Sequence, residues 1–67
     1  MTTTTSEPVQ HGHDPHEIYR LLREHQIGPA ASRAMIEQAR IAGKSDTARG
    51  VFVHRLTTDR YEIRRPL

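Results

Sequence analysis

Apolar residues recur at helical spacing in the first two thirds of the chain and at alternating positions near its end. Ile18 and Leu22 follow the helical period, and Asp14 with Pro15 provides a cap and a first helical residue before them. A Gly-Pro pair then interrupts the pattern. This arrangement predicts a first helix over residues 15–26.

A second helix is predicted over residues 29–42, because proline at its start and Gly43 at its end are suited to those positions. Its expected buried stripe is rich in alanine, which allows close helix approach but contributes little burial per residue. The stripe consists of Ala31, Ala34, Met35, Ile41 and Ala42. Ile36 falls outside it, so we expect either the hairpin or a second chain to cover Ile36.

Apolar and polar residues alternate along residues 51–67, which predicts a β-hairpin whose turn is Thr58-Asp59. One register places apolar residues opposite one another and joins opposite charges, whereas a slip of one residue exposes the whole apolar set. The pairs expected in that register are Leu56 with Tyr61, Arg55 with Glu62 and His54 with Ile63. The expected core face is Phe52, His54, Leu56, Tyr61 and Ile63, and the opposite face is Val51, Val53, Arg55, Arg60, Glu62 and Arg64.

The segment before the first helix, residues 1–13, is polar throughout most of its length and cannot bury enough surface to offset its ordering entropy. We expect it to be a disordered tail. The remainder, residues 14–67, is predicted to form one small α+β domain, in which two helices are followed by a C-terminal two-stranded antiparallel β-hairpin (ααββ). The core of so short a domain is thin, and no cysteine is present to add a disulfide.

Charge is distributed unevenly along the chain, although the net charge is only +2. Residues 43–67 carry six cations and three carboxylates, and most cations of the chain are arginine, whose fork suits phosphate. We therefore expect nucleic acid as a partner, contacted through its phosphates with little sequence specificity. The candidate contact residues are Arg33, Arg40, Lys44, Arg49, Arg55, Arg60, Arg64 and Arg65. An ordinary charged surface that protects a sheet edge explains the same arginines equally well.

A protein-interaction module is the alternative function. Ile36, Val51 and Val53 are apolar residues that the predicted elements leave on exposed faces. A homodimer or a complex with another protein would cover them and complete the thin core.

Catalysis is not expected from this sequence. Gly43-Lys44-Ser45 resembles part of a phosphate-binding loop, but Gln38 stands where that loop requires glycine. No cysteine is present, and no serine or threonine lies in a recognisable nucleophile context. A domain this small also has little room to enclose a ligand. We therefore expect no enzyme activity, no cofactor and no small-molecule substrate.

Histidines cluster before the first helix, where His11, His13 and His16 surround Asp14. Such a group binds transition metals weakly, but the aspartate is needed as the helix cap and the tail supplies no second shell. We expect no specific metal site there. The N-terminal residues lack the basic and apolar regions of a secretory signal, and no apolar run is long enough to span a membrane. The expected location is the cytoplasm, without a membrane partner.

Overall fold

Two helices and a β-hairpin follow one another in the predicted order. In the computed structural model, which describes residues 12–67, the elements are helix α1 at Pro15–Glu24, helix α2 at Pro29–Ala42, strand β1 at Phe52–Thr57 and strand β2 at Arg60–Arg64. The strands form an antiparallel sheet, and the two residues between them are the predicted turn. The ααββ fold class is thus confirmed. Disorder was predicted for residues 1–13, of which residues 1–11 lie outside the described residues. For residues 12 and 13 the prediction was wrong, since the structure describes both and His13 pairs with Tyr61 of β2.

Helix α1 begins at its predicted cap. The carboxylate of Asp14 accepts a hydrogen bond from the backbone N–H of Glu17, with 2.9 Å between nitrogen and oxygen. This bond lowers the pKa of Asp14 below its ordinary value, because it favours the charged carboxylate. The Glu17 side chain contacts His13 instead of the cap, at 3.2 Å from Oε1 to Nδ1.

Helix α1 ends at Glu24, two residues before the predicted end. The N–H of Ile27 donates to the carbonyl of Leu22 at 3.0 Å, and the N–H of Gln26 donates to Arg23 at 2.8 Å. This pair of bonds closes a Schellman motif, with Gln26 in the left-handed region at φ 64°. Ile27 and Leu22 are both buried, so the apolar contact that accompanies the motif is part of the core.

Helix α2 has the predicted ends but a different buried stripe. Its core-facing residues are Ser32, Met35 and Ala39. Of the predicted stripe only Met35 is buried, whereas Ala31, Ala34, Ile41 and Ala42 are exposed. The buried residues follow Ser32 at helical spacing, so apart from Met35 the predicted stripe lies on the wrong side of the helix. In the structure the hydroxyl of Ser32 donates to the carbonyl of Ile27 at 3.2 Å, which makes its burial tolerable.

The hairpin register differs from the predicted one by one residue. The pairs are Phe52 with Arg64, Val53 with Ile63, His54 with Glu62 and Arg55 with Tyr61. Leu56 has no partner in this ladder, since the register shifts between Arg55 and Thr57. An unpaired residue of this kind is a β-bulge, and it changes which residues of β1 share a face with Tyr61.

The core face of β1 is consequently the reverse of the predicted one. Val53 has no exposed surface and Val51 is buried, whereas Phe52 and His54 are only half-buried. Tyr61 of β2 is buried as predicted. The β1 prediction was wrong because both phases of this strand are apolar, so alternation alone does not choose between them. Contact with the helices decides the choice.

The core lies between the two helices and one face of the hairpin. Helix α1 packs mainly against α2 and β2, while α2 also packs against β1. The buried apolar residues are Ile18, Leu22, Ile27, Met35, Ala39, Val51, Val53 and Tyr61, with Ile36, Ala48 and Ile63 partly buried around them. The other face of the hairpin is left for contacts outside the domain.

Both edges of the hairpin bond to neighbouring backbone. His13 and Tyr61 exchange two backbone hydrogen bonds, at 2.8 and 2.9 Å, although residues 12 and 13 were assigned to the tail from the sequence. On the β1 side, the N–H of Ser45 donates to Val53 and the N–H of Arg55 donates to Gly43, each at 2.8 Å. The hairpin is thereby extended on both sides at its centre.

Candidate nucleic-acid interface

The face of the hairpin that is turned away from the helices carries aromatic and charged side chains close together. Side chains alternate along a strand, and directly paired residues share a face. Because Val53 and Tyr61 point into the core, the residues that alternate with them point outward. We call this surface the outer face and define it by Phe52 and His54 of β1 with Arg60, Glu62 and Arg64 of β2.

Two aromatic rings lie side by side on the outer face. The ring centroids of Phe52 and His54 are 6.5 Å apart, and the rings are perpendicular. This edge-to-face arrangement is favourable for an aromatic pair, and it fixes the orientation of both rings. The Nδ1 atom of His54 lies 3.8 Å from a carboxylate oxygen of Glu62, which is too far for a hydrogen bond.

An open groove borders Phe52. Its volume is about 740 Å³, within the range of about 300–1,000 Å³ of ligand sites. Three cations and one carboxylate contribute to its walls, so its ionisable side chains leave an excess of positive charge. The lining residues are Lys44, Ser45, Asp46, Thr47, Phe52, Arg64, Arg65, Pro66 and Leu67. We call this feature the C-terminal groove.

Three of the predicted contact residues are engaged within the chain. The guanidinium of Arg40 pairs with Glu37, at 3.1 Å between Nε and Oε1, and this pairing raises the pKa of Arg40 and lowers that of Glu37. Arg64 contacts the carboxylate of Glu62. Arg55 donates from Nη1 to the carbonyl of Arg40 at 2.9 Å, so it satisfies one of the free carbonyls at the end of α2.

The other predicted contact residues are exposed and form no ion pair among residues 12–67. They are Arg33, Lys44, Arg49, Arg60 and Arg65. An exposed cation without a carboxylate partner keeps its full charge for a ligand, so these residues are the better candidates for phosphate contacts.

The structure divides the predicted residues into groups. Lys44, Arg64 and Arg65 line the C-terminal groove, and Arg60 lies on the adjoining outer face. Arg55 contacts Arg40 at the end of α2. Arg55 and Lys44 also line a second cleft, which lies between the end of α2 and strand β1.

Two predicted contact residues lie apart from these groups. Arg33 borders a groove between α1 and α2 that contains Tyr19 and Ile36. Arg49 lies with Gly50 in a tight turn in which both residues have positive φ.

The residues expected to form a protein interface are placed differently from the prediction. Val51 and Val53 lie in the core of their own chain, and Ile36 packs against it. Val51 and Val53 were expected on an exposed face because β1 was assigned in the wrong phase, and Ile36 because the buried stripe of α2 was misplaced. The large apolar side chains that remain exposed are Ile41 and Leu67.

The histidine cluster is only partly described. His11 lies outside the described residues, His13 contacts Glu17, and His16 is exposed in the first turn of α1. Within residues 12–67 no three histidine or acidic side chains come together as a metal site would require. His54, expected at the edge of the core, lies instead on the outer face.

The residue that sequence reasoning missed is Phe52, which was assigned to the core. A signal was present, because Val51 and Val53 are β-branched and fit a packed sheet surface at least as well as phenylalanine. Choosing the valine phase turns Phe52 and His54 outward, toward the cations of the chain terminus.

Comparison with models of known protein families, with curated proteins and with solved structures finds no match to this chain. Neither helix in the described part of the chain has the length and apolar character needed to cross a membrane. The proposals below therefore depend on the geometry and charge of residues 12–67.

Proposed function

We propose that this chain is a small nucleic-acid-binding regulatory protein that contacts the phosphate backbone through its C-terminal hairpin and the end of helix α2. The observation that supports this most is the C-terminal groove. Lys44, Arg64 and Arg65 line it against a single carboxylate side chain, that of Asp46. We further propose that it acts in the cytoplasm, where it would encounter nucleic acid.

The free cations favour a phosphate ligand for a physical reason. Each phosphate neutralised by lysine or arginine releases condensed counterions, so affinity arises from charge and falls steeply with salt. Lys44 and Arg65 are exposed and have no ion pair among the described residues, and they lie beside the same groove. Arg64 is partly neutralised by Glu62, so we expect a smaller contribution from it.

A salt series with matched charge variants tests the proposal. The first variant combines Lys44→Gln with Arg65→Gln, and its control combines Arg20→Gln with Arg23→Gln. Both remove two charges, but the control pair lies on α1, outside the C-terminal groove. Binding to duplex DNA and RNA is measured by fluorescence anisotropy at several salt concentrations.

We expect the groove variant to reduce the slope of log affinity against log salt by about 1.8, at about 0.9 per lost phosphate contact. The control pair should leave most of that slope intact. Equal effects of the two pairs would mean that only net charge matters. An absence of binding by the wild type at low salt would remove the proposal.

A protein-interaction module is the second candidate, and one observation favours it. Ile41 of α2 is 70 % exposed, and a groove containing Tyr19 and Ile36 lies between the two helices. Sedimentation equilibrium over a range of concentrations tests for a homodimer. A mass that rises with concentration, and returns to that of a monomer in Ile41→Asp but not in Thr47→Asp, would support it. A constant monomer mass would exclude self-association.

A further inference from the structure

The outer face and the adjoining C-terminal groove together combine aromatic rings with free cations. Phe52 lies in the wall of the C-terminal groove, and its ring is held against His54. Lys44 and Arg65 border the same groove. Proteins that bind unpaired strands use this combination, in which bases stack on aromatic rings while cations follow the phosphates.

We propose that the C-terminal groove binds a single-stranded polynucleotide beside the outer face, with one base stacked on Phe52 and the neighbouring phosphates held by Lys44 and Arg65. This inference rests on the proposed function and names its ligand. The base and phosphate chemistry is common to DNA and RNA strands. A duplex is a poorer ligand, because its bases are already stacked on each other and present no free ring face.

The shape of the site agrees with an unpaired base. Phe52 is half-buried and lines the groove, so part of its side chain is accessible to a ligand there. The bases of a duplex are stacked inside the helix and cannot reach the ring of Phe52, whereas an unpaired base can enter the groove. The groove volume of about 740 Å³ leaves room for a nucleotide.

Charge selects a polyanion as the occupant in preference to a protein segment without phosphate. Three cationic side chains line the groove against the side chain of Asp46, and the carboxylate of Glu62 on the adjoining outer face is in contact with Arg64. A strand laid along the groove therefore meets two unpaired cations and an aromatic ring. Stacking and charge act on the same ligand, but they respond differently to salt.

The test uses tryptophan at position 52 as a reporter. The chain contains no tryptophan, so Phe52→Trp introduces the only one, and its emission is quenched when a base stacks on the indole. Ile41→Trp is the matched control, since position 41 is exposed on α2. Each is titrated with dT and rU strands of about ten nucleotides, the scale of one single-strand site, and with a duplex of equal length.

Affinity variants complete the design. Phe52→Ala removes the ring, and Phe52→Leu keeps an apolar side chain of similar bulk without a stacking surface. We expect both to weaken strand binding by roughly 10- to 100-fold, the range for one stacked base. The slope of log affinity against log salt should stay unchanged, because no phosphate contact is lost. Circular dichroism of each variant verifies that it is folded.

The outcomes separate the two proposals. Quenching of the indole in Phe52→Trp but not in Ile41→Trp, with tighter binding of strands than of duplex, supports the stacking site. Equal affinity for strands and duplex, together with wild-type affinity of Phe52→Leu, overturns stacking and leaves the phosphate-contact function intact. No binding of any nucleic acid at low salt overturns both.

Discussion

Ser45 supports strand β1 from the side, and its replacement by alanine is a sharp test of the hairpin placement. The backbone N–H of Val53 donates to the hydroxyl of Ser45 at 2.9 Å, and the N–H of Ser45 donates back to Val53 at 2.8 Å. The same hydroxyl donates to the carbonyl of Asp46. Val53 has no exposed surface, so water cannot replace the lost acceptor without opening the sheet.

The expected cost of Ser45→Ala follows from that unsatisfied N–H. A buried donor left without an acceptor costs about 1–3 kcal/mol. The total free energy of unfolding for a domain of this size is only about 3–8 kcal/mol, at 0.05–0.15 kcal/mol per residue. The midpoint of thermal unfolding should therefore fall by roughly 4–24 °C, since each kcal/mol shifts it by about 4–8 °C in small domains.

Urea denaturation and amide hydrogen exchange measure this effect together. Thr47→Ala is the matched control, because Thr47 lies in the same connector and is exposed, and its replacement should change stability by less than about 0.5 kcal/mol. In Ser45→Ala the Val53 amide should also exchange faster relative to global unfolding. A variant as stable as the control, with the Val53 amide still protected, would refute the proposed support of β1.

Three further predictions concern other parts of the chain. Gly12→Ala should lower the free energy of unfolding in urea more than Gly50→Ala does. Both glycines have positive φ, but only at Gly12 would a Cβ lie 2.5 Å from a backbone carbonyl oxygen of β2. Equal losses of stability would show that this close contact contributes nothing. Because the pKa of Asp14 is lowered, its carboxylate stabilises the fold fully above the ordinary pKa of 3.8, and this stabilisation is lost as the pH falls through the lowered pKa. In Asp14→Ala the melting temperature should therefore depend less on pH in that acidic range. An acid dependence equal to that of the wild type would contradict the cap. Arg55→Gln should cost about 0.5–1 kcal/mol in urea through the lost contact at the end of α2, whereas Arg49→Gln should cost nothing measurable.

Local sequence signals were sufficient for the element order. Asp14 with Pro15 predicted the start of α1, Pro29 the start of α2 and Gly43 its end, and each acts through the backbone of its own few residues. Such features depend on φ preferences and caps, which a short segment carries with it. The hairpin turn was predicted from the alternation of the strands and the pairing across them, although the register predicted with it was wrong by one residue.

The orientation of β1 was not recoverable from alternation. Val51 and Val53 form one apolar phase, while Phe52 and His54 with Leu56 form the other, and both look acceptable in isolation. The bulge at Leu56 lets the valine phase share a face with Tyr61, and packing on the helices fixes that choice. A strand with two plausible faces has its register set by tertiary contacts.

The charged residues of the candidate site could be predicted from the sequence, but which of them lie together on one surface could not. The pairing of Arg40 with Glu37 was visible as a helical spacing of three, whereas the role of Arg55 at the end of α2 requires the two segments to meet in space. The outward position of Phe52 depended on the β1 phase, so it was missed together with that phase. Charge can be counted from a sequence, but its partners depend on the fold.

The backbone contacts that flank the hairpin limit how molecules of this protein can associate. On one side His13 bonds to the backbone of Tyr61, and on the other Ser45 and Gly43 bond to the backbone of Val53 and Arg55. A strand from a neighbouring molecule would have to displace one of these segments before it could dock, so fibril growth through this sheet should begin only after partial unfolding. Loosening either flank, and not raising the concentration alone, should shorten the lag before fibrils form.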